Sequence, residues 1–267
     1  MKRPYRIINL DHGPNTCGSG DLILFSHIAH GSRGTDDEIV IRSSNKIDIL
    51  RLLNQPHIDE LAARPIGLSP KHIFGIEQSC RAYIPRYEQI RRYFNIKSMP
   101  KRPQVLLKKE SLEYASEWWR YEQATKVLFC IDANDKSRRW QHWTSLADLM
   151  NEHYTAILTK ENCDSSWYNA AAIISMADVV VAVDSAYAHL AATLAKPTVV
   201  IMGPTRPTAY AHVADCVTCL VPPNDSCGGC VYNKPFHDLK CGHNGCNQIE
   251  RITHEQVLEE VGKCLKN

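Results

Sequence analysis

No run of apolar residues approaches the ~20 that a helix needs to cross a bilayer, which excludes a helical membrane protein. Charge of one sign is also missing, with 31 Lys+Arg against 29 Asp+Glu. A global basic field of the kind that carries strong non-specific nucleic-acid binding is thereby excluded, although local patches are not. There is no internal repeat and no low-complexity segment, so neither a solenoid nor a long biased tract is expected. A signal-peptide core is lacking as well, because Met1-Lys2-Arg3-Pro4-Tyr5-Arg6 leads directly into the strand-like Ile7-Ile8-Asn9-Leu10. The expected location is the cytoplasm. In that reducing compartment the 11 cysteines are expected as thiols or metal ligands, not disulfides.

What is present is an alternation of strand-like and helix-like segments, over a length of 267 residues that suits two small α/β domains or one large one. A strand over 7–10 runs through a loop of turn formers into a helix over 22–29, and a strand over Glu38–Arg42 with a helix over 46–53 completes a βαβα start. A helix over 78–94, bent near Pro85, interleaves Arg81, Arg86, Arg91 and Arg92 with Tyr83, Tyr87 and Tyr93. That pattern suits a solvated helix face, or a grip on a phosphorylated lipid core or a nucleic-acid backbone. The segment 100–103, bounded by Pro100 and Pro103, reads as a linker. A second α/β series begins near Leu106, with helices over 111–119, 143–151 and 168–176 and strands over 126–131 and 154–159. The last helix, over 253–265, opens with Thr253-His254-Glu255-Gln256, a capping-box spacing. The expected architecture is two Rossmann-like domains facing a cleft: 1–103, then 104–252 with a Cys-rich segment 216–246, then a C-terminal helix 253–267.

The stretch 177–205, ADVVVAVDSAYAHLAATLAKPTVVIMGPT, concentrates the functional signal. Its run 179–183 has the continuous β-branched character of a strand buried on both faces. Asp184-Ser185 then stands where a helix N-cap belongs. Ligands of open α/β sheets settle at the carboxyl ends of strands, and a helix N-terminus there offers unpaired N–H donors to a phosphate. A second strand over 198–202 ends in Gly203-Pro204-Thr205 on the same rim. Asp184 acting only as a helix cap would satisfy the local pattern equally well.

Two further loops have the chemistry of a group-transfer site. Gly18-Ser19-Gly20-Asp21 lies at the first strand-to-helix junction, where it is either a phosphate cradle or a connector. The segment 131–140, Ile-Asp-Ala-Asn-Asp-Lys-Ser-Arg-Arg-Trp, puts Lys136, Arg138 and Arg139 after another strand; its plain alternative is an exposed basic loop. Six of the 11 cysteines fall between Cys216 and Cys246. Cys227, Cys230, Cys241 and Cys246 follow a C-x2-C-x10-C-x4-C spacing that can close a tetrahedron around zinc, or around iron, since thiolates suit both. Val217 and Leu220 suggest a strand around Cys219, which would bury one thiol.

The order D-S-x-x-x-H-L-A-A followed by K-P-T-V-V-I-M-G-P-T, with G-D-L-I-L near the start, resembles the ADP-heptose:lipopolysaccharide heptosyltransferases, a family of two-Rossmann, GT-B type glycosyltransferases. The chain is short for that family, mainly in its first half. The resemblance implies that Asp184, Ser185, the amide of Ala186, His189, Gly203 and Thr205 bind the sugar and diphosphate of the donor, with Gly20 opposite. Ala186 stands where the family usually has Gly. It further implies that Asp21 is the general base that takes the acceptor proton; a helix-N-terminal Asp favouring the macrodipole is the alternative. The family's Lys-x-Trp element falls on Arg138 by strict alignment to Trp140, with Lys136 the next candidate, to stabilise the leaving diphosphate. The last helix is expected to brace the first domain. Cys-rich tails of similar spacing, one of them an iron-bound finger, also occur among relatives.

The reading that follows is an inverting glycosyltransferase using ADP-heptose or a similar nucleotide sugar, with a bacterial-type glycoconjugate as acceptor. No catalytic metal is expected beside the structural zinc or iron. Two others stand beside it: the same chemistry on a protein or nucleic-acid acceptor, and a catalytically inactive nucleotide-binding module. No transmembrane segment is expected, and peripheral membrane contact is compatible with all three.

Overall fold

Strands rich in Val, Ile and Leu with no polar alternation must be covered on both faces, and the second half of the chain satisfies that demand with a parallel sheet. The computed structural model describes residues 5–9, 23, 26, 38–42, 47–53, 100–120, 124–133, 135–150, 153–205, 207, 210, 213–222 and 247–266. The chain divides into two compact units, Met1–Leu107 and Lys108–Asn267.

In the first unit, β1 (Tyr5–Asn9) pairs in parallel with β2 (Glu38–Arg42), Tyr5 opposite Glu38 and Asn9 opposite Arg42. Helix α1 (Ile47–Leu52) follows with Ile49, Leu52 and Leu53 buried. Leu106 is tied back to this helix by its N–H on the Leu52 carbonyl at 2.7 Å. The helix expected over 78–94, with its arginines and tyrosines, lies outside the described residues.

The second unit holds α2 (Lys109–Trp119), β3 (Lys126–Cys130), α3 (Trp143–Leu149), β4 (Tyr154–Leu158), α4 (Trp167–Met176), β5 (Val179–Val183), α5 (Ala186–Thr193), β6 (Thr198–Ile201), β7 (Val217–Leu220) and α6 (His254–Cys264). All five strands are parallel, in the order β4-β3-β5-β6-β7. The chain therefore moves outward from β3 to β4, crosses back to β5 and continues away. That is the doubly wound order whose switch point lies between β3 and β5.

Period-2 alternation sends Val127, Phe129, Val179, Val181, Val183, Val199 and Ile201 to one face, where they form a core with Trp140, Leu146, Met150, Ile249, Ile252, Val257 and Val261. Helices α3 and α6 cover that face. The opposite residues Leu128, Val180, Ala182 and Val200 are fully buried too. There α5 lies on β5 and β6, while the small side chains of α4 let it pack between α2 and α5. The tryptophan N–H groups are satisfied at depth: Trp119 donates to the Ile173 carbonyl at 3.0 Å and Trp140 to the Ile252 carbonyl at 2.8 Å.

Local signals place several boundaries well. Thr253 caps α6 with its side chain on the Gln256 N–H, while the Gln256 side chain accepts from the Thr253 N–H, a complete capping box. The apolar side of that helix goes into the second unit's core, against α3 and β6. Among the described residues no helix is long and apolar enough to cross a membrane.

Candidate functional site

At the C-terminal end of β5 the run of valines stops at Asp184, which is 4% exposed. A carboxylate buried this far must be paired or hydrogen-bonded. Its partners come from three separate segments. Thr205, in the loop after β6, donates its hydroxyl to Oδ2 at 2.5 Å, and Tyr210 donates its phenol to Oδ1 at 2.9 Å. Arg138, in the turn after β3, places Nη1 3.4 Å from Oδ2 and donates to the Asp184 carbonyl at 3.1 Å. His189, one turn into α5, has Nε2 4.0 Å from Oδ1, and its ring stacks on Tyr210 with centroids 4.4 Å apart and planes at 13°.

Burial pushes the Asp184 carboxyl up, but Arg138, His189 and the two hydroxyl donors outweigh it and hold the group below the usual carboxylate range. Asp184 is thus an anion at neutral pH. Tyr210 is driven the other way, by burial first and then by the Asp184 charge, so its phenol stays protonated and remains a donor. Cys219 on β7 is pushed up to about 12 by burial and by Asp184, which makes it an inert thiol. Cys216, just before β7, is half-buried.

The local sequence explains how Arg138 reaches the site. Asp135 accepts from both the backbone N–H of Ser137 at 2.9 Å and its hydroxyl at 2.7 Å, which winds Lys136–Arg138 into a single tight turn. Of the three cations in this loop only Arg138 meets Asp184; Lys136, at the start of the turn, and Arg139 are exposed. Gly203 makes that meeting possible. A Cβ built on Gly203 would lie 2.6 Å from the Ser137 carbonyl oxygen, so the two loops touch through a position that only glycine fits.

The capping expectation for Asp184 does not hold, because its carboxylate is taken up by Thr205, Tyr210 and Arg138. Ser185 is the residue at the N-cap of α5, in extended conformation and with no side-chain capping bond. Its buried Oγ has no hydrogen-bond partner among the described residues. The orphan N–H groups of α5 are therefore left without a side-chain cap. Ala186 is the first helical residue and is not among the positive-φ positions, so its backbone does not call for glycine. These parts sit at the carboxyl ends of β3 and β5, the switch point of the sheet, where a guanidinium, a hydroxyl and a helix N-terminus are donors of the kind that can receive an anion.

Asp184, Ser185, Ala186, His189, Gly203, Thr205 and Arg138 thus fall in one region although they span three loops. Tyr210 was missing from the sequence reading. It carries no motif, and only the tertiary packing brings it to Asp184. Gly20, Asp21, Cys227, Cys230, Cys241 and Cys246 lie outside the described residues. Among the described residues there is no group of three or more His, Cys, Asp or Glu that could hold a metal.

Residues 165–237, which include α4 through the loop after β6, match the family model "Glycosyltransferase family 9 (heptosyltransferase)". No curated protein sequence matches the chain. Among solved structures, ADP-heptose lps heptosyltransferase II of E. coli superposes with a TM-score of 0.60 at 14% identity, over 98% of each chain. The family 9 glycosyl transferase of Veillonella parvula gives 0.65 at 12% identity, over 98% of this chain and 97% of its own. TibC of enterotoxigenic E. coli, an iron-containing dodecameric glycosyltransferase, gives 0.66 at 14% identity, over 99% of this chain and 76% of its own. Likeness at these identities establishes the fold, the two-Rossmann architecture expected from the sequence.

Proposed function

We propose that the chain, whose residues 165–237 match the glycosyltransferase family 9 (heptosyltransferase) model, is an inverting enzyme of that family transferring heptose or a similar sugar from a nucleotide diphosphate sugar, ADP-heptose or a close analogue, to a hydroxyl of a glycoconjugate in the cytoplasm. The observation that carries the reading is the meeting of Arg138 with Asp184 beside the uncapped N-terminus of α5, within the segment that matches the family. A solved relative, TibC, is described in complex with ADP-D-beta-D-heptose, which supports the choice of donor.

In the proposed step the acceptor oxygen attacks the anomeric carbon from the side opposite the diphosphate. The bond from that carbon to the phosphate oxygen breaks, and its electron pair leaves with the nucleoside diphosphate. The acceptor proton passes to the carboxylate of Asp21, the base that the family resemblance assigns. Arg138, with Lys136 at the rim, and the N–H groups of Ser185 and Ala186 at the start of α5 meet the negative charge that develops on the leaving group. Cys227, Cys230, Cys241 and Cys246 are proposed to bind one structural zinc or iron, a reading supported by their spacing and by the iron of TibC.

Calorimetric titration with ADP tests the donor site. Binding that Asp184→Ala weakens is expected, because the variant releases Arg138 and the Thr205 loop together. Equal affinity in wild type and variant would remove the site from this position. Nucleotide release across a panel of nucleotide sugars then identifies the sugar.

A further inference from the structure

Among the described residues, Tyr210 is the one member of the Asp184 cluster that neither the motifs nor the family resemblance assigns. It is 1% exposed, and it engages two groups at once: its phenol donates to Asp184 Oδ1, and its ring lies flat on His189. Oδ1 is also the atom that His189 Nε2 approaches at 4.0 Å. One buried side chain therefore touches both the carboxylate and the imidazole that approaches the same carboxylate oxygen.

We propose that Tyr210 is a positioning residue of the donor site, whose hydroxyl occupies Asp184 Oδ1 while its ring fixes the plane of His189, so that the imidazole is held beside the carboxylate without collapsing onto it. This rests on the donor-site reading above. The physical reason is the capacity of the carboxylate. Oδ2 already takes Thr205 and faces Arg138, so the share of Oδ1 left to His189 is set by whether Tyr210 donates there. The phenol is suited to a constant role, since burial and the neighbouring anion keep it protonated. Among the described residues, the charged or titratable groups of the cluster that His189 joins are Asp184, Arg138 from the turn after β3 and Tyr210, with the Cys219 thiol of β7 coupled to Asp184 and Tyr210. Arg138 keeps its charge at all working pH values. Cys219, pushed up to about 12, stays neutral. The ordinary imidazole range lies below both, so a shift of the His189 titration between variants reports on what Oδ1 is doing.

The test is the titration of the His189 ring by NMR in ligand-free protein, together with ADP affinity. Tyr210→Phe keeps the ring and removes the donor. It should shift the His189 titration upward by roughly half a pH unit or more and weaken ADP binding by about three- to tenfold, whereas a merely space-filling Tyr210 would move neither. Should that variant fail to fold, Asp184→Asn supplies the reverse measurement: loss of the anion should shift His189 downward. A His189 titration that superposes on wild type in the folded variant overturns the role of Tyr210. Wild-type protein that binds no ADP overturns the donor-site reading instead, whatever His189 does.

Discussion

Gly203→Ala isolates the contact between the two loops that build the site. The new Cβ would stand 2.6 Å from the Ser137 carbonyl oxygen, with Ser137 C at 3.6 Å and Arg138 Cα at 3.8 Å. A carbon approaches a carbonyl oxygen comfortably at about 3.3 Å, so the loops must part by roughly 0.7 Å. Neither can yield through a side chain, because the obstacle is backbone and the turn is wound tight by Asp135. Overpacking of this kind costs about 1–3 kcal/mol. The displacement also falls on Arg138, whose Nη1 then drifts from its 3.1 Å bond to the Asp184 carbonyl. A loss of about 1.4 kcal/mol in binding corresponds to a tenfold weaker ADP complex. Thermal or urea denaturation reads the first effect and calorimetric titration the second. Gly262→Ala is the internal control: it sits in α6 with nothing within 4 Å of an added Cβ, so the same chemical change there should stabilise by up to about 1 kcal/mol. A Gly203→Ala protein as stable as wild type, with unchanged affinity, would refute the loop-contact reasoning.

The Asp184 carboxyl is held below its ordinary range, so its stabilisation is fully present above the ordinary carboxylate pKa and is lost as pH falls through its own lower one. Urea denaturation between neutral and acid pH should therefore show a component of acid sensitivity that Asp184→Asn lacks, and parallel pH profiles in the two proteins would contradict it. Asp21→Asn should lower turnover by roughly 100-fold or more while leaving ADP affinity intact, the behaviour of a lost general base; unchanged turnover sends that role elsewhere, with His12, in the turn-forming stretch of sequence before Asp21, the next candidate. Elemental analysis should find about one zinc or iron per chain, with Cys230→Ser lowering both metal content and melting temperature, because a structural site contributes directly to folding. A metal-free preparation that is fully folded and active would defeat that assignment.

Much of the second unit is determined by its sequence because its signals are local. The apolar run Val179–Val183 is a strand with those bounds, and the spacing Thr253 to Gln256 is a capping box with both bonds made. Backbone conformation there follows from side chains a few residues apart. The rim was legible for the same reason, since polar small residues directly after buried strands have few other places to go. The partnerships within the site were not legible. Strand order places β3 beside β5, and only then does Arg138 stand next to Asp184, 46 residues further along the chain. The same order brings Thr205 and Tyr210 in from beyond β6 and turns Asp184 from an apparent helix cap into the hub of a buried cluster. Local propensity decides which segments become strands and helices. Which carboxylate is held by which phenol depends on burial in a shared core, and that free energy exists only once the sheet has assembled.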